Sequence, residues 1–150
     1  MRISFDLDDT LICYQPGVLQ EPRLPWWWRG LGHEEPLRLG ARQLLRDLQR
    51  SGHELWIYTT SYRDPWSVWW WLGGHGIWVR RVINQDIHDR TFRRDRDARP
   101  PSKNPRAFGI HLHIDDSIGV AEEGRQWGFR VLVLTPEDTD WTTRVRQAVR

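Results

Sequence analysis

Acidic residues stand where two predicted strands end, and they carry the chemistry of this chain. The first stretch, Arg2-Ile3-Ser4-Phe5-Asp6-Leu7-Asp8-Asp9-Thr10-Leu11-Ile12, opens with apolar strand formers at Ile3, Phe5 and Leu7. It then runs straight into three carboxylates and a threonine. Carboxylates do not sit unpartnered in the middle of a buried strand. They belong at its carboxyl end, where an open α/β sheet has its ligand crevice. Asp6 and Asp8 are two residues apart, so a turn after the strand lets them share one site. Two carboxylates that close need a cation, or one takes up a proton. A hard divalent ion such as Mg2+ is the natural partner of oxygen ligands. The second acidic stretch, Asp115-Asp116-Ser117, follows the short alternating segment His111-Leu112-His113-Ile114.

Phe5-Asp6-Leu7-Asp8-Asp9-Thr10 resembles the DxDxT signature of the haloacid dehalogenase superfamily, most of whose members are magnesium-dependent phosphohydrolases. The resemblance implies that Asp6 is a nucleophile forming an aspartyl phosphate. It implies that Asp8 is the general acid and base, with its backbone on the metal, and that Thr10 helps fix the loop. The superfamily also places a Thr or Ser at the end of the second strand to bind the transferring phosphoryl group. Glu54-Leu55-Trp56-Ile57-Tyr58 reads as that strand and ends in Thr59-Thr60-Ser61. Thr59 matches best, with Thr60 one position off; a hydroxyl capping the following helix is the plainer alternative. Next the superfamily wants a basic residue between the third and fourth strands. Lys103 stands there and is the one lysine in a chain that otherwise uses arginine. Such a choice suits a site needing a compact ammonium rather than a planar fork. Asp115 and Asp116 match the last motif, whose acids complete the metal shell. Asp116 aligns with the direct ligand and Asp115 with one acting through water.

The elements that must position these groups alternate between strand and helix. Pro36 to Arg50 has Leu37, Ala41, Leu44, Leu45 and Leu48 at helical spacing, and Ser51-Gly52 ends it. Asp64-Pro65 starts another helix, in which Trp66, Trp69 and Trp70 share a face and which Gly73-Gly74 stops. Trp78 to Ile83 reads as a strand. Residues 85–106 read as a solvated, arginine-rich loop broken by Pro100-Pro101 and Asn104-Pro105. Ser117 can cap a helix from Ile118 to Trp127. A buried strand, Phe129 to Leu134, comes next. Thr139 or Asp140 then caps a last helix bearing Trp141 and Val145. Alternation of this kind argues an α/β, Rossmann-like sandwich: a central parallel sheet of about five strands with helices on both faces. The resemblance implies strand order 5-4-1-2-3. Residues 13–36, which carry Trp26-Trp27-Trp28, are too few for a full cap domain. They read as a tryptophan-bearing flap over the core, a second copy or the substrate.

The 150 residues suit one domain, 1–150. A net charge of +2 does not by itself imply nucleic acid, nor does it exclude it. Cys13 is the single cysteine, so no disulfide framework exists. No apolar run is long enough for a membrane span, and a strand begins at the amino terminus, so the expectation is a soluble, cytoplasmic protein. The 11 tryptophans suggest a homo-oligomer contact. His111 and His113 have no further ligands at zinc spacing and read as sheet residues. The expected activity is hydrolysis of a phosphorylated substrate of unknown class, with an open site that admits large ones. A phosphotransferase with the same residues is the rival. A non-catalytic module binding an anionic partner through its tryptophans and arginines is the other.

Overall fold

A computed structural model describes residues 1–29, 35–92 and 101–150. Five strands form one parallel sheet in the order β3-β2-β1-β4-β5. They are β1 (Arg2–Phe5), β2 (Glu54–Tyr58), β3 (Arg81–Ile83), β4 (Leu112–Asp115) and β5 (Val131–Val133). Among the described residues six α-helices accompany them: α1 (Trp26–Arg29), α2 (Ala41–Arg50), α3 (Pro65–Gly74), α4 (Gln85–Phe92), α5 (Ile118–Trp127) and α6 (Trp141–Ala148), with a short 3-10 helix at Pro105–Phe108. The expected strand order and three-layer arrangement are what the structure has.

The two-residue period of the strands separates core from site. Ile3, Phe5, Leu55, Ile57, Leu112 and Ile114 point to one face. There they pack with Leu44, Leu48, Val68, Trp71 and Val145 from α2, α3 and α6 into the larger core. Ser4, Trp56, Tyr58 and His113 point to the other face, where Tyr58, Trp56, Ile83 and Ile110 form a smaller cluster. Ser4 pairs in register with Trp56 on one side and His113 on the other. Asp6 and Asp115 continue this second set, two residues beyond Ser4 and His113. The crossing from β3 back to β4 therefore delivers its residues, Lys103 among them, to the face that carries the acids.

Several boundaries differ from expectation for identifiable reasons. The helix expected from Pro36 begins at Ala41, because Leu37 and Arg38 are tied into extended pairing. Arg38 N–H donates to Leu11 O at 2.8 Å and Glu21 N–H to Leu37 O at 2.7 Å. Gly40, with φ 88°, turns the chain into the helix. α3 ends at Gly74 as expected, and Gly76, with a φ of 70° that suits glycine, turns the chain away after the His75 cap. Trp71 rather than Trp66, Trp69 or Trp70 is the buried ring of that helix. The expected strand from Trp78 shortens to β3, and the buried strand from Phe129 becomes the half-exposed edge β5. The expected loop 85–106 opens with α4, whose first turn is capped by the Asn84 side chain accepting from Ile87 N–H at 3.0 Å. Arg93, Arg94 and Arg96 of that loop lie outside the described residues.

Within the flap, α1 leaves Trp26 and Trp27 exposed, while Trp28 Nε1–H donates to Trp70 O at 3.1 Å. Rings continue from Trp28 through Trp70 to Trp66 and Trp69 along α3. Among the described residues, no helix is long and apolar enough to cross a membrane.

Candidate active site

The turn after β1 folds tightly on itself. Leu7 O accepts from both Leu11 N–H (2.9 Å) and Ile12 N–H (2.8 Å), and Asp9 N–H reaches Ile12 O at 2.8 Å. Asp9 adopts φ 56°, a left-handed conformation that Asp tolerates better than most residues. Thr10 is buried in this turn, and its carbonyl accepts from Arg38 Nη1 at 3.4 Å.

Asp6, Asp115 and Asp116 converge: one carboxylate oxygen from each lies within 4.8 Å of the others. Lys103 Nζ stands 2.8 Å from Asp6 Oδ1 and 2.6 Å from Asp115 Oδ2, with its side chain only 2% exposed. Burial favours a neutral amine, yet the two carboxylates outweigh it and hold the ammonium charged, above the usual lysine range. Burial likewise pushes Asp6 up. Lys103 draws it down, but Asp115 adds to the rise, and the net direction is upward. Burial acts on Asp115 too. There the His113 hydrogen bond and Lys103 prevail, and the carboxyl stays well below the ordinary range. Asp116 is raised by burial first and Asp115 second.

Beneath the acids runs a buried relay. His113 Nε2 lies 2.8 Å from Asp115 Oδ2, and His113 Nδ1 lies 2.7 Å from Ser4 Oγ. Full burial keeps His113 below its ordinary pKa, so the ring is neutral at pH 7. A carboxylate accepts only, so Nε2 carries the proton and Nδ1 accepts from the Ser4 hydroxyl. Asp115 Oδ1 accepts from Ser117 N–H at 2.8 Å. Both oxygens of Asp115 are thus engaged by the protein.

Asp8 is half-exposed and stands apart from this carboxylate group. Arg63 grips it with both ends of its fork, Nη1 to Oδ2 at 2.7 Å and Nη2 to Oδ1 at 2.8 Å. The hydrogen bonds to Asp8, helped by Glu35 at 3.2 Å from Nε, raise the Arg63 pKa against the burial that lowers it. Thr59 is buried at the carboxyl end of β2, with its hydroxyl accepting from Ser61 N–H at 3.1 Å. Thr60 is exposed. The following helix is capped, as expected, by Asp64, which accepts from Ser67 N–H at 2.9 Å, and not by a threonine.

Sequence reasoning missed Arg63, Glu35, Ser4 and His113 as members of this neighbourhood. Strand parity could have found two of them, since Ser4 and His113 lie two residues before Asp6 and Asp115. Nothing in the order of residues marks Arg63.

The donor set suits a hard cation. Three carboxylates face one ammonium, which leaves two negative charges uncompensated. Asp6 Oδ1 is buried without a hydrogen bond; Lys103 is near it but poorly aligned to donate. A divalent ion with oxygen preference answers both facts.

Comparison with solved structures bears on the fold. The HAD domain of the effector protein Lem4 from Legionella pneumophila superposes with a TM-score of 0.53 at 13% identity, covering 99% of this chain and 93% of that one. An inactive mutant of the same domain gives 0.53 at 12% identity, with 99% and 92% covered. A predicted HAD-like family hydrolase from Porphyromonas gingivalis gives 0.50 at 14% identity, with 99% and 97% covered. The chain has the HAD-domain fold. No protein-family model and no curated protein matches its sequence.

Proposed function

We propose that the protein is a magnesium-dependent phosphohydrolase acting through an aspartyl phosphate on Asp6. The observation that carries this reading is the Lys103 ammonium between Asp6 and Asp115, at the point where three carboxylates converge. A carboxylate nucleophile must meet a phosphoryl anion, and positive charge on that spot relieves the repulsion.

An Asp6 oxygen attacks phosphorus while the bond to the leaving oxygen breaks. The electron pair departs with that oxygen, and the Asp8 carboxyl gives it a proton. Water then attacks the phosphorus of the aspartyl phosphate, Asp8 takes its proton, and Asp6 is restored. Lys103 holds charge against the phosphoryl oxygens, and Thr59 is the nearer match of the two threonines for binding them. Asp6, Asp116 and the Asp8 backbone would hold magnesium. Asp115, with both oxygens already engaged, would orient Lys103 and act through water. Bound there, the ion supplies further positive charge against the phosphoryl group. His113 and Ser4 fix the direction of Asp115 from below.

The test is hydrolysis of an aryl phosphate with magnesium and with EDTA, in wild type and Asp6→Asn. Phosphate release that needs the ion and falls by several orders of magnitude in the variant, with folding kept, is expected. Comparable release from both proteins would overturn the mechanism.

A further inference from the structure

Arg63 stands on the leaving-group side of the proposed reaction centre. Resting on that reading, Asp8 has to reach the leaving oxygen to protonate it, so whatever that oxygen carries comes up against the guanidinium that holds Asp8. The guanidinium is firmly placed. Its side chain is 18% exposed, its carbonyl accepts from Asn84 Nδ2 at 3.1 Å, and the next residue, Asp64, caps α3. An arginine has five N–H donors. Nε donates to Glu35, and Nη1 and Nη2 give one hydrogen each to Asp8. The other two N–H groups have no partner among the described residues. Asp8 meanwhile has an arginine N–H on each oxygen, and this double hold restrains its carboxyl.

We propose that Arg63 reads a second anionic group, a carboxylate or a phosphate, borne by the leaving alcohol close to its ester oxygen. Two carboxylates already share this one guanidinium, so an incoming anion competes with Asp8 for it. Glu35 stays on Nε as the pivot. The anion takes the Nη edge, for which a planar fork and an oxyacid are matched. Asp8 is thereby freed to turn toward the leaving oxygen. Phosphomonoesters of neutral alcohols leave the fork on Asp8 and are poorer substrates. Those with an anion one or two carbons away both bind and release the acid. Selection therefore acts on binding and on turnover together.

The test separates this from the hydrolytic reading by measuring binding without turnover. Asp6→Asn and Asp6→Asn/Arg63→Gln are titrated calorimetrically, with magnesium present, against ethyl phosphate, 2-phosphoglycolate and ethane-1,2-diol bisphosphate. The first is neutral beyond the ester, and the other two carry a carboxylate and a phosphate. Asp6→Asn should bind at least one of the two anionic esters about tenfold or more tightly than ethyl phosphate, and the double variant should bring that ratio near one. Which of the two wins identifies the anion. In wild type the same preference should appear in kcat/KM and vanish in Arg63→Gln. If Arg63→Gln does not fold, Arg63→Lys keeps charge without the fork, and the ratio should drop several-fold. Equal binding of all three esters by Asp6→Asn, or a preference that survives replacement of Arg63, overturns the proposal. Failure of wild type to hydrolyse any of them overturns the hydrolytic reading instead.

Discussion

Replacing Lys103 with methionine keeps the stem and removes the charge, which isolates the electrostatic role of this side chain. Nζ contacts Asp6 at 2.8 Å and Asp115 at 2.6 Å, in surroundings that leave it 2% exposed. With an effective dielectric constant near 20, each contact has a gross attraction of about 6 kcal/mol. Most of that offsets the desolvation of the three groups. Breaking a buried pair from one side typically costs ~3–5 kcal/mol, because the partner charge is left uncompensated. The variant should therefore lose about 3–5 kcal/mol of stability at pH 7 when divalent ions are chelated. The loss should depend on pH with a definite sign. Asp6 already has a folded pKa above its ordinary value, and removing the ammonium raises it further. A carboxyl whose pKa is higher folded than unfolded binds more protons in the native state, so stability returns as pH falls through the folded pKa. In wild type, Lys103 has a raised folded pKa, so its contribution is present below the unfolded lysine pKa and is lost in strong alkali. Urea unfolding of both proteins in EDTA, from pH 5 to pH 8, reads the deficit of the variant and its recovery on acidification. Activity should fall for every phosphomonoester by about 2–4 kcal/mol in the barrier. A variant as stable as wild type at pH 7 without divalent ions, or one whose deficit grows on acidification, would refute the reasoning.

Asp8→Asn keeps its backbone for a metal but cannot exchange a proton, so aspartyl phosphate formation should slow most for poor leaving groups; equal losses across an aryl phosphate series, followed by rapid quench, would contradict the acid role. His75 is buried between Arg42 and Arg46, and burial with those two charges lowers its pKa to about 4. The folded state then refuses a proton the unfolded state accepts, so stability should decline as pH drops from about 6.5 toward 4, and His75→Leu should flatten that limb of a thermal-melt profile. Trp71 fills the larger core, and its Nε1–H donates to Glu35 O at 3.2 Å. Trp71→Ala should cost ~3–5 kcal/mol in urea unfolding, far more than alanine at exposed Trp26.

How much of this was legible beforehand varies with where each residue finds its hydrogen bonds. Acids at the ends of β1 and β4 were visible because an unpartnered carboxylate cannot continue a buried strand. Lys103 stood out because the rest of the chain uses arginine. The beginning of α2 was not visible, since Leu37 has helical spacing but the neighbouring backbone is taken by Leu11 and Glu21. The polar composition of Gln85–Phe92 hid α4, whose buried contact rests on one histidine, His88, bonded to the Tyr58 hydroxyl through Nδ1 at 2.5 Å. Arg63 was invisible for another reason: its partner Asp8 lies 55 residues away, and local pattern carries nothing over that distance.

The central place of β1 has a consequence for how the chain is made. β1 pairs with β2 after about half of a typical domain length, but its other neighbour is β4, and Ser4 and His113 are 109 positions apart. During synthesis β1, α2, β2, α3 and β3 can assemble while one edge of β1, with its backbone N–H and C=O groups unpaired, still lacks a strand. An open edge of that kind is a template for pairing with other chains. It closes only when residues 112–115 have emerged. A pause in translation between β3 and β4 should therefore raise misassembly.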